Sequence, residues 1–236
     1  MSLFVIADTH LSLSVKKPMD IFGDRWNGYT EKLISRWRTT VRDGDTVVLP
    51  GDISWAMELE EARDDLMLLD SLPGRKIIGR GNHDYWWSSA KKLAEFTAEN
   101  NITTLDFLYN NAFIAENTVI CGTRGWYTDE KIASRGADYR KLIAREAARL
   151  TLSLEQGVKL DAGAGRERAA FLHFPPAFGD YICPELIEVL HKYGVASCFY
   201  GHIHGQYDIG QVREIDGIEF VLCAADYLDF YPMRII

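Results

Sequence analysis

Apolar residues fall along this chain in two rhythms. Short continuous runs, LFVIA (3–7), TVVLP (46–50), KIIG (76–79), TVICG (118–122), AAFLHF (169–174) and ASCFYG (196–201), predict buried strands. Between them, apolar positions recur at three- and four-residue steps. Leu33, Ile34, Trp37 and Val41 predict a helix over 30–42, and Leu59, Ala62, Leu66 and Leu69 predict one over 57–71. CPELIEVLHKYG carries Pro184 at a helix start and Gly194 past its end, the asymmetry helix termini prefer. Strands alternating with helices predict an α/β layered fold. From Tyr207 onward the pattern is more strand-like, with a hairpin signal in EIDGIEF, which favours mixed sheets over a purely parallel one. Residues 127–168 break the alternation. DYRKLIAREAARLTLSLEQG sets Leu142, Ile143, Ala147, Leu150 and Leu154 on one helical face, and DAGAGRER reads as a loop. With no linker-like tract or repeat elsewhere, residues 1–236 read as one domain and 127–168 as a helical insertion within it.

Composition narrows the class. At 47% apolar and 25% charged residues the chain is ordinary for a soluble globular protein. A net charge of −8 argues against nucleic acid or an anionic membrane as partner, while leaving room for a local phosphate-binding pocket. No apolar run approaches the roughly 18 residues of a membrane span, and the N-terminus lacks a signal peptide's basic flank and length. Cys121, Cys183, Cys198 and Cys223 are widely spaced with no CxxC pair, and three of them sit in apolar runs and read as core residues, which suits a reduced cytoplasm.

The chemistry sits where the apolar runs stop. LFVIA is followed by Asp8-Thr9-His10, TVVLP by Gly51-Asp52, and KIIGR by Gly81-Asn82-His83-Asp84. AAFL ends in His173, and ASCFY runs into Gly201-His202-Ile203-His204. Five of the six histidines lie at these strand ends, and the sixth, His191, sits in a helical pattern as a structural residue. In an open α/β sheet the carboxyl ends of the strands form one rim, where ligands bind. Asp8 and His10 are two apart and so project to the same side in extended chain, as do His202 and His204. Glycines 51, 81 and 201 permit sharp turns and close backbone approach to a ligand. The donors are N and O with no thiolate, which favours Mn²⁺, with Fe, Zn²⁺ or Ni²⁺ as alternatives. These candidate groups exceed what one tetrahedral site can use and suit two ions sharing a bridging carboxylate.

This ordered series, Asp8-x-His10, Gly51-Asp52, Gly81-Asn82-His83-Asp84, His173 and Gly201-His202-x-His204, resembles the calcineurin-like metallophosphoesterases. The resemblance implies a four-layer α/β/β/α sandwich of two mixed sheets. It implies that Asp8, His10 and His204 hold one divalent ion, that Asn82, His173 and His202 hold the other, and that Asp52 bridges them. His83 would stand just off the ions and stabilise developing charge or protonate the leaving oxygen. The implied reaction is cleavage of a phosphomonoester or phosphodiester by a hydroxide bridging the two ions. Where many members read Gly-Asp-x-x-Asp-Arg, this chain reads GDISWAM, with Trp55 and Ala56 in those positions. The aspartate that usually orients the off-metal histidine is therefore absent, and Asp84 is the adjacent carboxylate taken with His83 as catalytic.

Substrate contacts are expected from MDIFGDRWNGY (19–29), through Asp24, Arg25 or Trp26, and from Arg124 in GTRGWY. The expected partner is a small-molecule phosphate ester, nucleotides included. Two other readings compete. One is a nuclease on the same fold, which the acidic balance disfavours. The other is a non-catalytic metal-binding interaction module, which the full set of ligand positions disfavours.

Overall fold

The computed structural model describes residues 1–127 and 138–236. β1 (Leu3–Val5), β2 (Thr46–Leu49), β3 (Arg75–Ile78) and β4 (Leu105–Phe107) run parallel in sequence order, and β13 (Met233–Arg234) closes the far edge antiparallel to β1. α1 (Tyr29–Thr40), α2 (Arg63–Ser71) and α3 (Ala90–Glu99) are the crossovers of this sheet. The second sheet has the order β11-β12-β10-β7-β6-β5. Its centre, β6 (Thr118–Thr123), β7 (Glu167–Leu172), β10 (Val195–Tyr200) and β12 (Ile218–Leu222), is parallel. Its edges, β5 (Ala112–Ala115) and β11 (Val212–Ile215), are antiparallel. A two-stranded ribbon, β8 (Ala177–Phe178) and β9 (Tyr181–Ile182), precedes α5 (Pro184–Lys192).

Three apolar clusters make this a four-layer sandwich. Leu3, Val5, Val48 and Ile77 of one sheet meet Ile120, Phe171, Phe199 and Val221 of the other in an apolar middle layer. Leu33, Trp37, Leu66 and Phe96 cover the outer face of the first sheet, and Leu150, Leu154, Leu186 and Leu190 cover that of the second. Strands clad on both faces must be apolar throughout, which is why they read as unbroken runs and not as alternation.

The second helix starts later than its periodicity predicts, at Arg63 instead of residue 57. The Glu61 carboxylate accepts the backbone N–H groups of Met57 and Glu58 at 2.9 and 3.4 Å, which holds 57–62 as a turn. Of the stretch read as an insertion, residues 128–137 lie outside the described residues. α4 (Asp138–Asp161) packs on β5 and β6 and against α5. The EIDGIEF hairpin turns at Asp216 and Gly217, with φ of 50° and 79°. All four cysteines are buried and unpaired, and burial pushes the thiols up, Cys121 to about 12. Among the described residues, no helix is long and apolar enough to cross a membrane.

Candidate metal centre

The carboxyl ends of the parallel strands in both sheets face one another. Asp8, His10, Asp52 and His202 leave their strands in left-handed backbone, with φ of 58°, 45°, 51° and 67°. That conformation costs a non-glycine residue on the order of 1 kcal/mol or more, so strain is concentrated at this rim. Tight approach adds to it. A Cβ on Gly81 would overlap the Asp52 carboxylate, and one on Gly201 would overlap that of Asp8. Those glycines are required by contact and not by turn geometry.

The result is a buried cluster drawn from five segments. Asp8, His10, Asp52 and His173 are each no more than 2% exposed. Asp8, His10 and His204 bring one donor atom each to within 4.8 Å of one another, and so do Asp8, Asp52 and His173. Asp52 Oδ2 stands between the two groups, 3.7 Å from His10 Nε2 and 3.5 Å from His173 Nε2. His10 Nε2 and His204 Nε2 are 3.4 Å apart, and Asn82 Oδ1 is 2.6 Å from His173 Nε2. The His202 ring packs on His173, with centroids 5.2 Å apart, and its backbone N–H reaches both oxygens of Asp8 at 2.9 and 3.1 Å. Two ligands each about 2.0–2.2 Å from one ion lie roughly 3–3.6 Å apart, and several of these separations are of that size.

The calcineurin-like phosphoesterase profile matches residues 1–206. The chain belongs to the calcineurin-like phosphoesterase family. Solved structures agree in fold at low identity. A phosphopantetheinyl hydrolase from Mycobacterium tuberculosis aligns with a TM-score of 0.59 at 14% identity, over 100% of this chain and 95% of that one. AQ665, a protein of unknown function from Aquifex aeolicus, aligns at 0.50 and 16%, over 99% and 95%. TT1561 of Thermus thermophilus aligns at 0.52 and 10%, over 95% and 89%. No curated protein matches the chain significantly.

The family binds divalent cations, and the electrostatics of this cluster fit one. Burial pushes Asp8 up to about 7 and Asp52 well above the usual carboxylate range, while it holds His10 and His173 well below the usual imidazole range. Among the described residues, only imidazoles stand within ion-pair distance of these two carboxylates. Nδ1 of His10 and of His173 is buried with no hydrogen-bond partner. Buried N and O donors that resist protonation or charge, with no resident cation, suit a divalent ion that supplies the missing charge.

His83 lies in a cavity of about 130 Å³ over the cluster, lined also by His10, Met19, Phe22, Trp26, Asp52, Trp55, His202 and His204. Trp55, at a position where many members carry aspartate, packs its ring 4.3 Å from that of His83 and stacks on His10 at 4.9 Å. An indole face therefore stands where a carboxylate would. Burial, with His204 and Lys17 nearby, lowers His83, so its ring is neutral at pH 7. Asp84 is fully buried and accepts N–H groups from Gly81, Asp52, Ile53, Ser54 and the Trp86 indole. It ties the two ligand loops together and does not line the cavity.

The expected substrate contacts separate. Trp26 lines the cavity and meets His10 and His204 edge-on at 5.8 and 5.7 Å. Arg25 donates to the carbonyls of Asp226 and Tyr227 at 2.8 and 3.2 Å and covers the Tyr207 ring. Asp24 is exposed in a 3-10 turn. Arg124 lines a second pocket, beyond the His173 side. His191 is in α5, 4.0 Å from Asp216. The sequence reading omits Asp226, a fully buried carboxylate accepting from His204 Nδ1 (2.8 Å), Gly205 N–H (3.1 Å) and the Tyr207 hydroxyl (3.0 Å). Burial opposes its ionisation, but the bond and charge of His204 outweigh it and hold Asp226 below the usual carboxylate range. Its segment, AADYLDF, carries no motif; its only signal is an acid following an apolar strand.

Proposed function

We propose that this protein hydrolyses small-molecule phosphate esters at a dinuclear centre. The observation that carries the reading is the pair of donor groups, Asp8-His10-His204 and Asp8-Asp52-His173, which share Asp8 and are both approached by Asp52. Asp8, His10 and His204 would hold one ion, and Asn82, His173 and His202 the other, with Asp52 between them. Divalent cations bound there supply Lewis acidity to phosphoryl oxygens and a water acidified enough to serve as nucleophile at neutral pH. The protein's own part is positioning and charge. Neutral His83, held by Trp55, offers one ring N–H to a phosphoryl or leaving oxygen, as a hydrogen-bond donor and not as a cation. Met19, Phe22, Trp26 and Trp55 give the leaving group an apolar wall and limit water. Asp84 keeps the Asp52 and Asn82 loops in register. Four unpaired thiols suit a reducing, cytoplasmic setting.

The test pairs elemental analysis with hydrolysis of p-nitrophenyl phosphate and bis-p-nitrophenyl phosphate in Mn²⁺, using His173→Ala and Asp52→Asn as controls. The expected result is about two metals per chain and activity lost in both variants, with the faster ester revealing the mono- or diester preference. A protein that takes up no metal even on reconstitution would sink the reading.

A further inference from the structure

Beside the metal centre lies a pocket of about 230 Å³ lined by Arg80, Arg124, Arg145 and Arg149, with Leu108, Tyr109, Asn110 and Thr123. It shares no lining residue with the cavity over the cluster. Its nearness to the centre follows from the chain. Arg80 is two residues before Asn82, so their Cα atoms are at most about 7 Å apart. The Arg124 carbonyl accepts the N–H groups of His173 and Phe174 at 3.1 and 2.9 Å. Arg145 and Arg149 come from α4, one turn apart.

Four guanidinium groups around one void repel one another, and among the described residues one acid, Glu146, offsets them. Glu146, fully buried, accepts from Arg149 Nη1 at 2.8 Å and from Thr123 Oγ1 at 2.9 Å, and lies 3.7 Å from Arg145 Nε. Counted over the described residues, four positive charges and one negative leave the pocket near +3, in a chain whose net charge is −8. Arg124 is held below the usual guanidinium range, first by burial; Glu146 opposes the shift, and Arg80, Arg145 and Arg149 each add to it. The Nε atoms of Arg80 and Arg124 are buried and have no hydrogen-bond partner among the described residues. Ring faces do not supply one: Arg124 stands over Trp126 and Phe174 at 5.6 and 5.9 Å, contacts that leave an N–H unmet. An anion bound in the void would relieve this crowding and meet the unpaired N–H groups.

We propose that Arg80, Arg124, Arg145 and Arg149 form a subsite for a second phosphate of the substrate, one that is held and not cleaved. The proposal rests on the phosphoesterase reading and names the substrate class within it: compounds carrying two phosphoryl groups, as a bisphosphate or as an anhydride. A tetrahedral dianion accepts from several guanidinium forks at once, which neither a carboxylate nor water does as fully. The void is several times the roughly 30 Å³ that a water occupies in the liquid, so a phosphoryl group has room. Arg145 and Arg149 keep half and 30% of their side-chain surface exposed, which leaves the pocket open to solutes.

Two measurements on the full-length protein test this. The first is calorimetric titration of inorganic phosphate into EDTA-treated protein, where binding at the metal centre is disabled. Wild type is expected to bind, and Arg145→Ala to weaken binding about tenfold, the worth of one charge-assisted bond. Arg149→Lys, which keeps the charge without the fork, should lie between, with thermal melts confirming that both variants fold. The second is the ratio of kcat/KM for adenosine 3′,5′-bisphosphate, and separately for ADP, to that for 5′-AMP with Mn²⁺. At least one ratio should exceed ten and fall about tenfold in Arg145→Ala; which one does so separates bisphosphate from anhydride. Ester hydrolysis with no such preference, or with a preference that ignores the arginines, overturns the subsite and leaves the esterase standing. Arginine-dependent phosphate binding in a protein that cleaves no ester overturns the esterase, and with it the assignment of this pocket to a substrate.

Discussion

Two aspartates next to the centre do different work, and their neighbours say which. Asp226 accepts the Nδ1–H of His204, so it fixes the tautomer that leaves Nε2 free to bind metal. Asp226→Asn keeps the shape and removes the charge; Mn²⁺ affinity, read from metal-dependent activity, is expected to fall by roughly 10–100-fold, with a smaller loss of kcat at saturating metal. An unaltered Mn²⁺ dependence would count against this role. Asp84 answers to stability. Removing its carboxylate strands the N–H groups of Gly81, Asp52, Ile53, Ser54 and the Trp86 indole in the interior. Asp84→Ala is therefore expected to lose at least about 3 kcal/mol in a denaturant melt, before any question of catalysis. A variant as stable as wild type would show that water can reach these groups. The residues that cluster at the candidate site were legible because a metal site needs particular residue types at strand ends, and strand ends show in the apolar pattern. Asp226 was not, because a carboxylate that acts through another side chain needs no motif of its own. The same holds for Trp55: its position in GDISWAM marks a departure, and only its distance to His83 shows what replaced the aspartate.

At the scale of elements, the apolar runs mark the strands that carry ligands, and what they miss is the ground between. α3, β4 and β5 follow the aromatic cluster after Asp84 and carry weaker patterns. The signal for α3 is its cap, the Ser89 hydroxyl accepting the Lys92 N–H. A less expected capping group closes α2. Lys76, inside β3 and wholly buried, donates to the carbonyls of Asp70, Leu72 and Gly74 and to the Thr104 hydroxyl. It thus serves the last turn of α2 and the loop after it, where carbonyls lack helical partners. Burial lowers its amine to about 8 from an ordinary 10.5. Between those values the unfolded chain binds more protons than the folded one, so the Lys76 contribution is least favourable below pH 8 and improves as pH rises towards 10.5. Lys76→Met, which orphans the carbonyls, is expected to cost about 2 kcal/mol at pH 7, and its deficit against wild type should widen by pH 10. Urea melts at pH 7, 9 and 10 measure both; a deficit that does not change with pH would mean the amine stays charged in the fold.

At the scale of the whole molecule, the two sheets meet twice: through the apolar layer of Leu3, Val48, Phe171 and Phe199, and through the Asp/His cluster at their ends. The first sheet supplies Asp8, His10, Asp52 and Asn82, and the second supplies His173, His202 and His204. An ion held by both halves, as proposed, would be a clamp across the sandwich, with the polar bonds already there, His202 N–H to Asp8 among them, as its scaffold. Metal binding is then folding energy as much as catalytic equipment. At a free Mn²⁺ concentration a hundredfold above the dissociation constant, one site adds about 2.7 kcal/mol. At about 2–4 °C per kcal/mol for a chain of this length, chelation with EDTA is expected to lower Tm by roughly 5–10 °C, and added Mn²⁺ to restore it in proportion to the logarithm of its concentration. His173→Ala removes a proposed second-sheet ligand and should shrink that shift as well as activity, since one half of the clamp would lose its hold. A Tm indifferent to both EDTA and Mn²⁺ would mean that the two sheets are joined by the apolar layer alone and that the strained strand ends do not close on an ion.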